Sequence, residues 1–493
     1  MGKMYWHVLL LSLVIASSCT SSRKNYDPAA RYSPELLRED FTVMRNILEK
    51  KHPSLYWYSS KDSIDAAFEH YYRSITDSMT ESAFAWRILA PLTRQFRCGH
   101  TTAAMSRRYT RWAKGRQLPS FPLYMKVWND SMVVTGNLNR KDSLFKRGTV
   151  ITSINGMKNH ELIATMFQYL PADGYAENIN QVRLSANFPY YHRNIFGLSK
   201  TYRVGYLDSA GAEKEAVLSL YQVVKDSLKK KTTPPTPVKK LPRSKRLEEY
   251  RSLDIDSSGQ FAVMTVNTFT EGMLRTFFRR SFRKLKKQGI RSLVIDIRSN
   301  GGGHISLSTL LTRYITDKPF TIADTVYAKA RCLGPYSRYI RNRLIYNTAM
   351  FFVASKKKDG LYHARYMEKK KFRPKKTHHF DGDTYVLTAG QTFSAAALFS
   401  NTVKGQQNVT LVGEETGGGW HGNNGVLIPE IRLPNTRLRL RLPLYRLVQF
   451  NHVPKNGTGV LPDVYVGPNY RALVEKRDRK MEVVKELIRM KHP

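Results

Sequence analysis

The fold is decided by one stretch of the chain, Tyr385-Val-Leu-Thr-Ala-Gly-Gln-Thr-Phe-Ser394-Ala-Ala-Ala-Leu-Phe399. It begins with a short apolar run that favours a β-strand and continues through a turn that contains a glycine. The small residues that follow Ser394 are good helix formers. The stretch therefore predicts a strand, a turn and a helix, with Ser394 at the junction of the turn and the helix.

Two roles are open to Ser394 at that junction. A serine that precedes a helix is most often an N-cap, whose hydroxyl accepts a hydrogen bond from an amide one turn further on. The amides at a helix start also lack backbone acceptors and lie at the positive end of the helix dipole, so they can stabilise an oxyanion formed beside the serine. The stretch alone favours the cap, and two other parts of the chain reverse that preference.

A second βα unit precedes this stretch and indicates the class of the core. Phe261–Val266 predicts a strand, Leu274–Lys287 a basic amphipathic helix, and Ser292–Ile297 a buried strand that leads into Gly301-Gly-Gly303. This order is typical of an α/β core. The glycine spacing fits neither a P-loop nor a dinucleotide-binding motif, so no nucleotide cofactor is indicated. A glycine amide near the serine suits an oxyanion hole.

The composition describes a globular chain with a strong positive charge. Of its 493 residues 41% are hydrophobic, and 80 Lys and Arg against 39 Asp and Glu give a net charge of +41. Such a charge favours anionic partners, including an anionic surface of the cell envelope. Zinc-finger spacing, an aromatic RNA-binding signature and a bounded basic helix are absent from the sequence, which argues against nucleic acid.

The chain has only three cysteines, Cys19, Cys98 and Cys332. They are too few and too scattered for a disulfide framework or a metal site, so no metal is expected. The sequence leaves open whether Cys98 and Cys332 pair or stay free.

Residues 1–19 predict an export signal. An apolar run from Val8 to Ala16, interrupted only by Ser12, is too short to span a bilayer as a permanent helix. The ending Ile15-Ala-Ser-Ser-Cys19 resembles a bacterial lipobox, which implies that Cys19 is acylated. We therefore expect a lipid-anchored protein of the bacterial cell envelope, with residues 20–33 as a polar tether.

The spacing of apolar residues divides the rest of the chain into regions. Residues 34–117 predict a helical N-terminal domain, whose first helix ends at His52-Pro53. His100 follows the last helix of that domain, past Gly99. A histidine there is most often a structural residue, although its side chain is also the one best suited to act as a base near neutral pH.

Residues 118–224 predict a β-rich domain. The Gly148 turn, the strand to Ile154 and the Asn155-Gly156 turn resemble PDZ domains, which bind a peptide end as an added strand. A β-rich domain without peptide binding fits the same pattern. Residues 225–250 predict a basic, proline-rich linker, and residues 251–493 form the α/β core, which we expect to end in a strand over 438–447 and a helix over 473–490.

Four stretches of the core resemble the tail-specific, or C-terminal processing, serine peptidase family in residues, order and spacing. They are Leu293-Val-Ile-Asp-Ile-Arg-Ser-Asn-Gly-Gly-Gly303, Thr392-Phe-Ser-Ala-Ala-Ala397, Val412-Gly-Glu-Glu-Thr-Gly-Gly418 and Gly459-Val-Leu-Pro-Asp463. The resemblance implies a core of the crotonase and Clp-peptidase type, with a PDZ-like domain and an N-terminal helical domain before it.

The resemblance also implies roles for particular residues. One branch of the family uses a Ser/Lys dyad, but Gly419 stands where that lysine would be. The tricorn-core-like branch takes a histidine from the N-terminal region, and His100 matches its place. We therefore expect Ser394 as nucleophile and His100 as base, with the amides of Gly302 and Ala395 as the oxyanion hole.

The chain departs from the family at the acid that would orient the histidine. Ala397 stands where many members have an acid, and the tricorn-like glutamate is replaced at Lys455-Asn456. Asp463, Glu414 and Glu415 are the remaining substitutes, and none is favoured. His304 and His421 are alternative bases ranked below His100, whereas Asp296 and Arg298 are expected to brace the glycine-rich loop.

The sequence thus predicts a serine endopeptidase that cleaves proteins or peptides in the cell envelope through an acyl-enzyme. The alternative is a catalytically inactive lipoprotein on the same scaffold, which binds a peptide or an envelope polymer without cutting it. Ala397 favours the alternative, whereas Ser394, His100 and the glycine-rich loops favour the enzyme.

Overall fold

The computed structural model describes residues 26–222, 242–449 and 456–492. The predicted signal, its lipidation site Cys19, the start of the tether and most of the predicted linker lie outside the described residues. Among the described residues, no helix combines the length and the apolar character that crossing a membrane requires.

A mixed sheet of six strands forms the centre of the molecule. The first strand pairs antiparallel with the second, and the others run parallel. Across the sheet the strands follow the order Arg251–Ile255, Phe261–Val266, Ser292–Asp296, Asp383–Thr388, Val409–Gly413 and Val464–Tyr465. Their apolar residues are buried on both faces, as expected for a parallel sheet covered by helices on both sides. The predicted α/β core is present.

Helices cover the two faces of this sheet. One face packs against Leu274–Lys287, Ile305–Ile315 and Ala395–Val403, and the other packs against Arg479–Lys491. The single helix predicted over 473–490 is wrong, because the structure has Tyr470–Glu475 and Arg479–Lys491 in its place. The break follows from Lys476, which adopts the left-handed conformation with φ +58° and ends the first helix.

Two smaller antiparallel sheets lie beside the central one. Five strands form the first, in the order Ser355–Lys356, Tyr362–His363, Thr325–Ala328, Tyr445–Val448 and Gly422–Val426. Three form the second, in the order Glu430–Arg432, Arg439–Arg441 and Ala103–Ala104. The strand predicted over 438–447 is therefore two strands in different sheets, separated at Pro443, which cannot donate a ladder hydrogen bond. A 3-10 turn and two helices complete this region, Gly334–Tyr339, Arg343–Val353 and Arg365–Lys369.

The N-terminal region is helical, as predicted. Its elements are the paired strands Arg31–Tyr32 and Met79–Thr80, the helices Pro34–Lys51, Lys61–Arg73, Glu81–Phe84, Ala90–Gln95 and Arg107–Ala113, and a π-helical turn, Ala85–Leu89. The buried apolar residues of these helices form one hydrophobic core together with residues of the 322–364 and 431–447 segments. The helical region therefore packs directly onto the C-terminal half of the chain.

Residues 118–222 contain a sheet with a separate hydrophobic core. Its strands follow the order Leu123–Trp128, Ser131–Asn137, Val150–Ile154, Thr201–Leu207 and Glu213–Ser219, with Met157–Lys158 paired to the third. Its helices are Asn159–Phe167 and Asn178–Phe196. The short helix Arg243–Glu248 lies within residues 225–250, which the sequence assigns to a linker. The sequence does not predict the 178–196 helix, because Pro189 and the non-helical Asn187 interrupt it. The likeness of the 118–224 domain to PDZ domains stays a prediction.

Candidate active site

Ser394 lies where the central strand Asp383–Thr388 turns into the helix Ala395–Val403. Its backbone has φ +53° and ψ −122°, and its side chain makes no hydrogen bond that caps the helix. Such a conformation costs a non-glycine residue about 1–3 kcal/mol and is concentrated at functional sites. A sharp strand-to-helix turn of this kind exposes a nucleophilic serine at the edge of a parallel sheet. The capping role, which the stretch alone favours, is therefore not observed.

His100 lies beside Ser394. Its ring is 3% exposed and stacks on the ring of Phe393, with 4.6 Å between the centroids. A methyl group placed on Gly425 would lie 3.1 Å from Ser394 Oγ and 3.3 Å from His100 Nε2. The hydroxyl and the imidazole therefore face the same small space, which only the missing side chain of Gly425 leaves open.

A buried hydrogen-bond network fixes the loop that carries His100. His52 Nδ1 accepts the amide of Ser54 at 3.2 Å, so its Nε2 carries the proton that bonds to Thr101 Oγ1 at 2.8 Å. Thr101 then donates to Cys98 Sγ at 3.2 Å. Burial lowers the pKa of His52 to about 3, which keeps this histidine neutral. His52 thus supports the residue next to His100.

Cys98 extends that network to the strand Gly422–Val426. The side-chain amide of Asn424 donates to Cys98 Sγ at 3.1 Å and accepts the hydroxyl of Ser54 at 2.5 Å. Cys98 is buried and Cys332 exposed, and both are free, which resolves the pairing that the sequence leaves open.

Asp173 is the acidic neighbour that the sequence does not identify. Its Oδ1 accepts the amide of Gly99 at 2.7 Å and lies 3.6 Å from His100 Nδ1. Within the described part of the chain, its Oδ2 and both ring nitrogens of His100 have no hydrogen-bond partner. The amide of Gly174 bonds to the carbonyl of Arg97 at 2.9 Å and joins the two loops. Ser394, His100 and Asp173 thus lie in the order of a Ser-His-Asp triad, with the two hydrogen bonds of such a triad not formed.

The acids considered from the sequence are bonded elsewhere. Asp463 forms an ion pair with Lys404, and Glu414 forms one with Lys480. Glu415 accepts the amide of Gly459 at 2.6 Å, and burial raises the pKa of its carboxyl group. Each of these carboxylates holds a strand or a loop of the core in place.

His304 and His421, the alternative bases, and Ala397, which replaces an acid, lie in different environments from that of His100. His304 is exposed immediately before the helix Ile305–Ile315, and the buried His421 ring lies 5.4 Å from the ring of Trp57. Ala397 is fully buried in the helix that follows Ser394. These positions leave His100 as the histidine that faces the serine.

The two amides predicted to form the oxyanion hole differ in whether they already donate a hydrogen bond. A side chain at Gly302, where φ is +101°, would lie 2.6 Å from Ser394 Cβ, so the loop touches the serine only because this residue is glycine. The Gly302 amide itself donates to Asn300 Oδ1 at 2.8 Å and is therefore engaged. Ala395 is the first helical residue, and its amide is one of those without an intrahelical acceptor.

Asp296 and Arg298 brace the glycine-rich loop. Arg298 donates to Asp296 at 2.6 Å and to both oxygens of Asp478 at 2.6 and 2.8 Å. Although burial acts in the opposite direction, the hydrogen bonds from Arg298 hold the pKa of Asp478 below its usual range. Through its bonds to Asp296 and Asp478, Arg298 joins the end of a central strand to the start of the C-terminal helix.

A cavity of about 210 Å³ borders the two loops that meet at His100. Thr102 and Pro171 line it, two residues beyond His100 and two residues before Asp173, together with the aromatic rings of Trp86 and Tyr190. The strand Ala103–Ala104 also lines it and forms the outer strand of its sheet. The described residues contain no group of three or more His, Cys, Asp and Glu that could hold a metal ion.

Comparison with known proteins identifies a related family and related folds. Residues 260–466 match the model of peptidase family S41. Mature CPAF is 13% identical, with a TM-score of 0.62 over 93% of this chain and 99% of that one. Mature CPAF complexed with lactacystin gives the same identity and TM-score over 93% and 98%. The photosystem II D1 C-terminal processing protease is 14% identical, with a TM-score of 0.40 over 90% and 97%. No curated protein matches by sequence.

Proposed function

We propose that the chain, whose residues 260–466 match the model of peptidase family S41, is a serine endopeptidase working through an acyl-enzyme. The observation that carries the proposal is the shared space beside Gly425, with Ser394 Oγ and His100 Nε2 at 3.1 and 3.3 Å from one point. A hydroxyl within reach of an imidazole is the arrangement that activates a serine.

The proposed reaction has two halves. His100 Nε2 takes the proton of Ser394 as Oγ attacks the scissile carbonyl, and it returns that proton to the amine as the peptide C–N bond breaks. Water then hydrolyses the acyl-enzyme with the same histidine as base. Ala395 supplies one oxyanion amide. Gly302 supplies the second when its hydrogen bond to Asn300 is shared or released.

Asp173 completes the proposed triad as a positioning residue. A carboxylate facing Nδ1 of a catalytic histidine holds the tautomer that leaves Nε2 free to accept a proton. The present 3.6 Å between Oδ1 and Nδ1 is longer than a hydrogen bond, and catalytic hydrogen bonds often shorten only when substrate binds.

The substrate is a polypeptide, as membership of a peptidase family implies. An extended peptide fits the outer edge of Ala103–Ala104, where it can add as a strand beside the aromatic cavity. The predicted export signal and the predicted acylation of Cys19 favour the bacterial cell envelope as the location of this activity. Incorporation of labelled palmitate that is lost in Cys19→Ala would support that placement, and equal incorporation would contradict it.

A fluorophosphonate probe tests the proposal directly, because it labels only an activated serine. We expect labelling of the wild type, none of Ser394→Ala and none of His100→Ala. Ser400→Ala is the matched control, since Ser400 is a buried serine on the same helix whose hydroxyl bonds to Ala396 O. An absence of labelling in folded wild-type protein would overturn the proposal and leave the inactive binding protein as the reading.

A further inference from the structure

The helix Arg343–Val353 exposes a row of large apolar side chains to solvent. Leu344, Ile345, Phe351 and Phe352 are 75%, 67%, 50% and 80% exposed. Their spacing of one and seven residues places them on a single side of the helix, which we call the 343–353 face. Contiguous exposed apolar surface of this kind marks a binding surface on a soluble domain.

Contacts on the opposite side fix the direction of this face. Met350 is the buried residue of the helix, and the side chain of Asn347 accepts the amide of Leu333 at 2.8 Å. Arg331 donates to the carbonyl of Phe351 at 3.1 Å, and its guanidinium lies 3.8 Å from the centroid of the Phe351 ring. Met350 and Asn347 thus hold the helix on its inner side, Arg331 covers part of the Phe351 ring, and the rest of the 343–353 face stays outward.

The chain around this helix is strongly basic. From Lys329 to Lys376 the sequence has fifteen Lys and Arg but only two acids, Asp359 and Glu368. Both acids bond to His363, and Glu368 also pairs with Lys357. This tenth of the chain carries about a third of the net charge of +41.

A basic hollow begins three residues after the helix ends. Lys356, Lys357, Lys358 and Arg365 line it, with Asp359 as the single acid. Lysine and arginine side chains beside a hydrophobic surface suit the phosphates of lipid headgroups, while apolar side chains enter the acyl region.

We infer that the 343–353 face docks into the surface of a bilayer rich in anionic phospholipid. A second copy of this chain is a poorer partner, because it would bring two clusters of like charge together. The phosphates of a nucleic acid would pair with the lysines, but the phenylalanine side chains would stay exposed to solvent. The inference needs neither the acylation of Cys19 nor the peptidase activity, and it fixes which side of the molecule faces the membrane.

Photo-crosslinking of the full chain tests the inference. The variant Phe352→p-benzoylphenylalanine is bound to vesicles containing equal parts of phosphatidylcholine and phosphatidylglycerol with a clickable acyl chain. Val217→p-benzoylphenylalanine is the matched control, since Val217 is 68% exposed in the strand Glu213–Ser219. Both variants carry the same N-terminal segment, so any binding through that segment is equal in the two and the comparison reports only the orientation of the protein.

We expect the lipid adduct at position 352 to exceed that at position 217 by about tenfold. Adding Lys356→Glu and Lys358→Glu should lower the yield at position 352 several-fold on the phosphatidylglycerol vesicles, because the lysines no longer attract the lipid. Equal yields at the two positions, or an adduct to a second copy of the chain, would overturn the inference. An adduct yield that ignores both charge reversals would overturn the role of the anionic lipid.

Discussion

Because Gly425 has no side chain, the space between the Ser394 hydroxyl and the His100 ring is open. We predict that Gly425→Ala lowers kcat/KM by about a hundredfold or more, because a methyl group 3.1 Å from Ser394 Oγ and 3.3 Å from His100 Nε2 displaces both. Peptide hydrolysis and probe labelling measure the effect, and circular dichroism establishes that the variant is folded.

The matched control for that variant is Gly136→Ala. A methyl group on Gly136 would meet its nearest neighbour, Tyr124, at an ordinary 3.9 Å. The control should keep wild-type activity. Full activity in Gly425→Ala would show that the reacting groups do not meet in the space beside Gly425.

The carboxylate of Asp173 should matter to catalysis more than any other acid near the site. We predict that Asp173→Asn lowers kcat by about four orders of magnitude, because a neutral amide no longer stabilises the imidazolium that forms at His100 during the reaction. The amide oxygen can still accept the Gly99 amide, so the loop should keep its shape.

Glu414→Gln serves as the comparison for Asp173→Asn. Glu414 pairs with Lys480 at the edge of the core, so its loss should change stability slightly and leave kcat unchanged. Equal losses of kcat in the two variants, or a loss only in Glu414→Gln, would remove Asp173 from the triad. Kinetics across pH with a fixed peptide substrate give the answer.

Ser394 and His100 could be predicted from sequence, whereas Asp173 could not. Ser394 sits in a strand-turn-helix pattern that local propensities produce, and His100 follows a helix end in a recognisable motif. Asp173 lies in the turn Pro171-Ala-Asp-Gly174, in a region assigned to another domain. Only tertiary packing brings that turn to His100, and the bond from the Gly302 amide to Asn300 is equally invisible in the sequence.

Among the secondary-structure elements, the loop after the first helix carries a pH-sensitive group. The native pKa of His52 is about 3, against about 6.5 for a histidine in an unfolded chain. Between these values the unfolded state binds a proton that the native state does not, so stability falls as the pH falls from about 6.5 towards 3. We predict that His52→Gln flattens this decline by up to about 1.4 kcal/mol per pH unit.

Urea unfolding at pH 7, 6 and 5 measures that slope. His70→Gln is the control, because His70 is exposed on the helix Lys61–Arg73 and lies outside the buried network. Identical slopes for wild type and His52→Gln would mean that His52 is already protonated in the native state.

The break between the two C-terminal helices offers a test of backbone strain. Lys476 has φ +58°, a conformation that glycine adopts without a side-chain clash. We predict that Lys476→Gly stabilises the protein by about 0.5–1 kcal/mol. Lys485→Gly, in the middle of Arg479–Lys491, should destabilise it by about 1 kcal/mol. Denaturation midpoints that move in the same direction for both would contradict the assignment of strain to Lys476.

Elements with a strong local signal are where the sequence predicts well. Phe261–Val266 and Leu274–Lys287 have the predicted bounds, because their apolar periodicity and their ends agree. The prediction is poorer where neighbours decide. The 178–196 helix is kinked at the non-helical Asn187, and the packing of its apolar residues on the adjacent sheet has no local pattern that predicts it.

At the scale of the whole molecule, the two halves of the chain are joined by more than the backbone. The N-terminal helices share a core with the 322–364 and 431–447 segments, and the amide of Tyr175 bonds to the carbonyl of Gly457 at 2.8 Å. We predict that cutting the chain at a protease site inserted between Pro235 and Thr236 leaves both fragments associated and reactive with the probe. Size-exclusion chromatography of the nicked protein measures this.

Separation of the fragments in native buffer would contradict that prediction. Separation of the fragments only in denaturant, with loss of labelling, would agree with the prediction, since His100 and Ser394 lie on different fragments. The order of regions is readable from composition, but a shared core is not, because sequence patterns show which residues are buried and not which partners they meet.

The distribution of the reacting groups along the chain has a consequence for biosynthesis. A ribosome that has made the first 173 residues has made the imidazole of His100 and the carboxylate of Asp173, but the hydroxyl of Ser394 and the strand Gly422–Val426 come more than 200 residues later. Translation therefore completes the candidate site only after most of the chain has been synthesised. A product truncated before Ser394 lacks the proposed nucleophile, so the proposed activity requires the later part of the chain to be made and folded.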